Sequence, residues 1–484
     1  MPKIVLYPRA APVDRLRVWL GVFQVTAAPA LDWSLDDAPA QPTALRALSS
    51  VRTDDMLPAN VPRAFIGIYE FTGLQPDTLH KIVVRANGAA AEPLEVRTLP
   101  GTVTSQLDRS FNVLLASCFH QAEDRGGLAG IIVSQLKATS KPHLTILAGD
   151  QVYLDLPTLR NFPDDLAWLA DKFEQDYTLN WCGPQGYEKV LAAAPSISIP
   201  DDHEFWNNFP QPSPIVQNTF TRDGRDRWEA AARAAYEGFQ LTPPTTPDDP
   251  QHLNVHPLSF FFADTRSGKD PDRRFTMSAA ARQRLDDWVT DVINNKHFGV
   301  FVSGQSLFRS PAGNFTGSVG DFELPNYEDY GEIMTTLKRL ADAGLPLVCL
   351  TGDVHWGRVT VARNTGSERK AFVEVISSPS SLVTTVGVDQ AKEAGNLIAG
   401  LFGGGSAWPR HSDPSDPPEY LAQRELGKQF PCSKLHPQRG NQVVLLKFRQ
   451  HANGIELRVT YWPISKDTNV GRPIEVGPID LNRA

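Results

Sequence analysis

The sequence predicts a two-part α/β protein, with a small antiparallel β-sandwich over residues 1–100 and a layered α/β domain over 101–484. Three observations predict it. The first hundred residues alternate apolar and polar side chains in short runs, without a helical period. From about residue 110, nearly continuous apolar runs alternate with helical segments, as in strands covered on both faces. A chain of 484 residues is also too long for one simple core, so two domains are the default.

In the first part the runs are "RLRVWLGVF", "RAFIGIYEF", "LHKIVVRANG" and "PLEVRTLPG", separated by turn signals such as "QPDT" and "NG". The stretch "FTGLQPDTLHKIVVRANG…LEVRTLPG" resembles the end of a fibronectin III-like module, and "TLPGTVTSQ" marks the boundary. In the second part the runs are "FNVLLAS", "HLTILAG", "SISIP", "LSFFFAD", "FGVFVSG", "LPLVCLTG" and "FVEVISS". Helices are predicted near 126–139, 163–179, 224–239, 278–293 and 329–343. "VVLLKFRQHANGIELRVTYWP" reads as a hairpin turning at Asn453-Gly454. The Gly-rich "AGLFGGGSAWP", with its core at 399–405, lacks the lysine and hydroxyl of a phosphate-binding loop and reads as a surface loop. Periodicity alone assembles the second part into a doubly wound parallel sheet.

Composition excludes several classes of function. Hydrophobic residues at 41% and charged residues at 21% belong to an ordinary globular protein. A net charge of −8 argues against stable nucleic-acid binding or attachment to anionic membranes, both of which need a basic face. No stretch approaches 18 uninterrupted apolar residues, so no membrane span is expected. The N-terminus has neither a charged segment leading into an apolar one nor a twin arginine, and the four cysteines are scattered. The given chain therefore reads as cytoplasmic, or as exported if an N-terminal signal has been trimmed.

The informative pattern lies at the ends of the apolar runs, where ligands gather in layered α/β folds. "NVLLAS" ends at Cys118. "TILAG" ends at Asp150, with Tyr153 and Asp155 just beyond. "SISIP" ends at Asp201-Asp202-His203-Glu204, with Asn207 and Asn208 close behind. "SFFFA" ends at Asp264-Thr265-Arg266, and "VCLTG" ends at Asp353, then His355. Carboxylates crowded together repel unless a cation neutralises them. Thiolate, phenolate and imidazole favour a transition metal such as iron or zinc. Carboxylate and amide oxygens favour a harder ion such as calcium. A set offering both kinds suggests two unlike metals sharing a bridging carboxylate, the usual device for activating water against a phosphoester.

The ordered set "GDQVY" (149–153), "DDHE" (201–204) and "GDVH" (352–355) resembles the motifs of calcineurin-like metallophosphoesterases. With "ASC" at 116–118 in the first motif and "ADTR" at 263–266, it is similar to the PhoD-like alkaline phosphatase/phosphodiesterase family over about residues 15–385. The resemblance implies a four-layer αββα sandwich of two packed mixed sheets, in place of the single parallel sheet. It implies a metal-dependent phosphoric ester hydrolase in which a metal-bound hydroxide attacks phosphorus in line. The cofactors implied are Fe3+ and Ca2+ in a binuclear or trinuclear centre, with Zn2+ or Mn2+ as alternatives. Cys118, Asp150, Tyr153 and His355 resemble ligands of the iron-type metal, with Asp150 the bridge. Asp202, Asn207 and Asp353 resemble ligands of the calcium-type metal, and Asp201 is the alternative to Asp202. His203 stands where the superfamily keeps a histidine that contacts phosphate or assists the leaving group. Arg266 either neutralises phosphate or locks Asp264. Pro200, where the family usually has Trp, and His120 depart from the pattern. The implied substrate is a small-molecule or polymeric phosphoester.

Two other readings are open on the residues. "SGQSLF" (303–308) offers a serine nucleophile without the GxSxG elbow. A degenerate scaffold binding a partner through its N-terminal β-domain would keep the fold without the chemistry.

Overall fold

Strand after strand in the second part turns alternate apolar side chains to two different neighbours. In Phe111–Ala116, Val113 and Leu115 face one buried cluster while Leu114 and Ala116 face another. In Leu258–Ala263, Phe260 and Phe262 share that first cluster, and Phe261 and Ala263 enter a third. A strand apolar on both faces must lie between two layers. That is why these runs are continuous rather than alternating.

The computed structural model describes residues 2–57, 61–106, 108–124, 126–157, 161–184, 186–308, 322–364, 369–381, 440–464 and 472–483, and the backbone of 432–438. A ten-stranded sheet runs, in order, Ile474–Asn482, Gly454–Pro463, Gln442–His451, Phe111–Ala116, Leu144–Ala148, Ser196–Ile199, Lys3–Arg9, Arg15–Val25, Arg63–Thr72 and Thr43–Ser50. A seven-stranded sheet runs His252–Val255, Leu258–Ala263, Phe298–Ser303, Leu347–Thr351, Lys370–Ile376, Gly357–Arg363 and Cys432–Gln438. Both are mixed, with the strands from 111, 144 and 196 parallel in one and those from 258, 298, 347 and 370 parallel in the other. Their facing sides pack through Val113, Leu115, Ile146, Phe260, Val300 and Val348. Helices Leu166–Cys182 and Arg222–Phe239 cover the outer face of the larger sheet, and Ala279–Asn295 and Tyr330–Asp342 that of the smaller. Two sheets thus replace the doubly wound single sheet that periodicity suggested. The side chains of Cys349 and Cys182 are buried apolar filler in the two helix layers.

The first hundred residues supply four strands of the larger sheet, joined to it where Arg9 pairs in parallel with Ser196. Ala38–Ala40, Leu31–Leu35, Leu79–Ala86, Ala89–Ala90 and Leu94–Arg97 form a separate small sheet. The two pack through Leu16, Val18, Leu20 and Phe71 against Ile82, Val84 and Val96. The other face of the large-sheet strands sends Tyr7, Trp19, Ile66 and Ile68 into the helix layer. Five of their polar side chains meet the ends of two helices. The Lys3 Nζ donates to the Cys182 carbonyl and the Tyr7 hydroxyl to that of Trp181 (2.7 Å). Arg46, Trp19 and Arg9 donate to the successive carbonyls of Glu237, Gly238 and Phe239. The last carbonyls of a helix have no intrahelical partner and carry its negative dipole end, so these donors satisfy both.

At the C-terminal hairpin, His451 pairs with Gly454, so the turn is Ala452-Asn453 and lies one residue earlier than predicted. Gly454 is the first residue of the returning strand, where a Cβ would stand 2.0 Å from the Leu481 carbonyl oxygen. The Gly-rich stretch at 399–409 lies outside the described residues.

Candidate metal centre

The parallel strands of both sheets end at one place, which fixes how closely their loops approach. Gly149 has φ +88°, and a Cβ there would lie 2.7 Å from Asp201 Cβ. Gly352 needs space rather than an unusual dihedral, because a Cβ would meet the Ala148 carbonyl oxygen at 2.0 Å. Gly149 therefore lets two loops of the larger sheet touch, and Gly352 brings the smaller sheet's loop against the larger.

Around them three overlapping groups share Asp150. Cys118, Asp150 and His355 form one, Asp150, Asp202 and His203 a second, and Asp150, Asp201, Asp202 and Asp353 a third. Within each, one donor atom per residue lies within 4.8 Å of the others. Cys118 Sγ stands 3.3 Å from Asp150 Oδ2, and the Tyr153 hydroxyl 3.5 Å from His355 Nε2. Cys118, Asp150, Asp353 and His355 all have φ between 51° and 64°, and Asn208 has φ 72°. A non-glycine residue held there costs roughly 1–3 kcal/mol, and such strain collects at functional sites. These are five of the twelve non-glycine residues with positive φ among the described residues.

Burial first, and then the neighbouring acids, Asp150 among them, push the Cys118 thiol and the Tyr153 phenol well up. Asp150 and Asp353 are likewise held far above the carboxylate range, first by burial and then by neighbouring acids, Asp201 and Asp202 among them. Four carboxylates, a thiol, a phenol and imidazoles thus face one another, and a cation would relieve their repulsion. The donor set fits a metal centre with a soft side at Cys118, Tyr153 and His355 and a hard side at Asp202 and Asp353.

His203 lies against this centre without competing for the soft side. Its Nδ1 sits 2.9 and 3.0 Å from the two Asp155 oxygens. Burial opposes its charge, yet Asp155, Asp202 and Asp150 outweigh burial and raise its pKa well above the usual value. Asp155, for which burial works upward, is held below the ordinary range by His203. Its Oδ2 also accepts the Asn207 backbone N–H at 2.9 Å.

Asp201 and Asp202 separate by their partners. Asp201 caps the short helix Asp202–Glu204 and accepts Arg266 Nε at 2.6 Å. Asp202 Oδ2 accepts the Asn208 backbone N–H at 2.6 Å. The Arg266 side chain is fully buried and also reaches the Phe209 carbonyl (2.9 Å), while its backbone N–H bonds to Asp264. Arg266 thus pairs with Asp201, and Asp264 accepts from Arg266 N, Ser267 and Tyr236. Ser306 is buried with its hydroxyl on Glu374 Oε1 (2.9 Å), and Ser303 pairs with Thr265. Neither is placed as a nucleophile.

Glu204, the last residue of the "DDHE" motif, joins the loops. One oxygen accepts the backbone N–H groups of Asp150 (3.0 Å) and Asp201 (2.8 Å), the other that of Gln151 (2.6 Å) and Gln240 Nε2 (2.9 Å). Burial raises its pKa to about 7 against those donors. Glu323, which helps raise Asp353, was missed, since no strand end announces it. Ser378 was missed although the run "FVEVISS" ends on it.

No protein-family model matches the sequence, and no curated protein matches it. Among solved structures, that of PhoD aligns over 96% of this chain and 88% of its own, with a TM-score of 0.63 at 13% identity. The purple acid phosphatase PPD1 from seeds of yellow lupin (Lupinus luteus) aligns over 98% of this chain and 74% of its own, with a TM-score of 0.56 at 12% identity. With two mixed sheets and flanking helices, the chain has the fold of PhoD and of this purple acid phosphatase.

Proposed function

We propose that the chain is a metal-dependent phosphoric ester hydrolase. The observation that carries this reading is the sharing of Asp150 by three donor groups drawn from both sheets. Cys118, Asp150, Tyr153 and His355 would hold an iron-type metal, and Asp202 and Asp353, with Asn207 beside them, a harder ion of the calcium type. Zinc or manganese would suit the same donors less selectively. When bound, such a pair supplies Lewis acidity toward phosphoryl oxygens and lowers the pKa of water.

The protein's own groups do the rest. Asp155 holds the His203 ring and its positive charge at the edge of the acidic cluster. From there His203 attracts the phosphate and gives its proton to the departing oxygen. Arg266 and Glu204 fix the Asp201–Asp202 loop in place rather than meeting substrate. Residues 1–100 form a fibronectin III-like unit that serves the 101–484 catalytic part as a brace, a reading supported by the five side chains on its helix ends.

The test is hydrolysis of bis(p-nitrophenyl) phosphate and p-nitrophenyl phosphate by the purified protein and by Asp150→Ala. Turnover by the wild type should disappear on chelation and return with metal. Activity that survives both chelation and Asp150→Ala would refute the assignment.

A further inference from the structure

The loop following strand Lys370–Ile376, "SSPSS" at 377–381, wraps the Cys118 turn from the opposite sheet. Ser380 N–H and Ser381 N–H donate to the carbonyls of Ser117 (2.8 Å) and Cys118 (3.1 Å). The Ser377 hydroxyl donates to the Leu115 carbonyl (2.9 Å). Strand Gln442–His451 holds the loop from behind, with Gln442 Nε2 on the Ser378 carbonyl (3.1 Å). Ser378 is fully buried in this frame.

Its hydroxyl touches two of the proposed ligands at once. Ser378 Oγ lies 3.0 Å from Cys118 Sγ and accepts the His355 backbone N–H at 3.0 Å. A hydroxyl has one proton, and a lone pair is already taken by the N–H. The proton therefore points at the sulfur. Ser117 Oγ, 3.6 Å from the same sulfur, is a poor competitor because its proton goes to the Ser377 carbonyl at 2.5 Å.

We propose that Ser378 is a positioning residue that donates a hydrogen bond to the Cys118 thiolate and ties it to the His355 turn, so setting how strongly the sulfur donates to a bound metal. The inference rests on the metal-centre reading above. Hydrogen bonds to a ligating sulfur withdraw electron density from it, and outer partners of this kind change metal affinity by about 10–100-fold.

Cobalt(II) titrated into metal-stripped full-length protein reads this directly, through the near-ultraviolet sulfur-to-cobalt charge-transfer band. Ser378→Ala should move the band to longer wavelength and, because Cys118 is no longer tied to the His355 turn, weaken cobalt binding by about 10–100-fold. Ser378→Thr, which keeps the hydroxyl, should restore the wild-type position. Ser377→Ala, which removes a hydroxyl of the same loop that bonds a carbonyl, should leave the band in place. Ser378→Gly takes the place of the alanine variant if that one does not fold. A band unmoved by loss of the Ser378 hydroxyl, or moved equally by Ser377→Ala, would overturn the role of Ser378. A wild type that takes up no cobalt, or takes it up without a sulfur band, would instead bring down the metal-centre reading and Ser378's role with it.

Discussion

At the residue scale, Asp150 and Glu204 divide the work of the centre between them. Asp150 belongs to all three donor groups, so on the proposed function its side chain is needed to hold any metal. Asp150→Ala should lower turnover by more than about 100-fold, the upper end of the effect of losing an outer partner, and should reduce bound metal, as measured by elemental analysis beside the rate. Glu204 decides instead where the loops stand. Glu204→Gln puts an N–H pair where two donors now point, and should cost about 1–3 kcal/mol in urea unfolding of the metal-stripped protein. The same acids make that form sensitive to pH. Glu204, at about 7 when folded, and the raised Asp150 and Asp353 bind protons more tightly folded than unfolded. Their stabilising contribution is full below the ordinary carboxylate range of about 4. The Glu204 share is lost as pH rises through about 7, and the Asp150 and Asp353 shares as pH rises through their own raised values. The melting temperature of metal-stripped protein should fall between pH 5 and 8, with the loss recovered on adding metal. A rise over that window would contradict the assignment of these groups.

At the element scale, the donors to helices Leu166–Cys182 and Arg222–Phe239 explain why the N-terminal strands matter to a site they do not reach. Gln240, just past the second helix, donates to Glu204, so the helix end is two hydrogen bonds from the Asp150 backbone. Tyr7→Phe removes a donor from the Trp181 carbonyl and should cost about 1–3 kcal/mol, read in denaturant unfolding. Long, periodic elements were the legible ones. The helix predicted at 224–239 is Arg222–Phe239, and that predicted at 278–293 is Ala279–Asn295, each behind a capping hydroxyl at Thr221 or Ser278. Strands Lys3–Arg9 and Thr43–Ser50 were passed over. Lys3–Arg9 carries Lys, Pro and Arg, and Thr43–Ser50 is a half-exposed edge without a clean period. In the site, strand-end chemistry pointed to Cys118, Asp150, Tyr153, Asp202, Asp353 and His355. It could not find the Arg266–Asp201 pair, because that contact joins residues 65 positions apart, and Ser378 ends a strand run but carries no side chain of metal-ligand type. Spacing along a chain carries no signal for such pairs.

At the scale of the whole molecule, the ten-stranded sheet makes one structure of what composition divides at residue 100. Tyr7, Trp19, Ile66 and Ile68 lie in the same buried cluster as Phe173, Trp181, Trp228 and Phe239. Removing residues 2–100 would expose that cluster and strip five donors from two helix ends, so the remainder should not fold alone. In scanning calorimetry the full chain should accordingly unfold in a single transition, whereas two separate transitions would show the parts to be independent. Among the described residues no helix is long and apolar enough to cross a membrane. The central claim concerns the meeting of both sheets at Asp150, and the most direct test is elemental analysis of the protein as purified, with neither metal nor chelator added. The account predicts close to one iron per chain together with a harder cation such as calcium, both lost in Asp150→Ala. A protein that carries no metal, and takes up none on reconstitution, would contradict it.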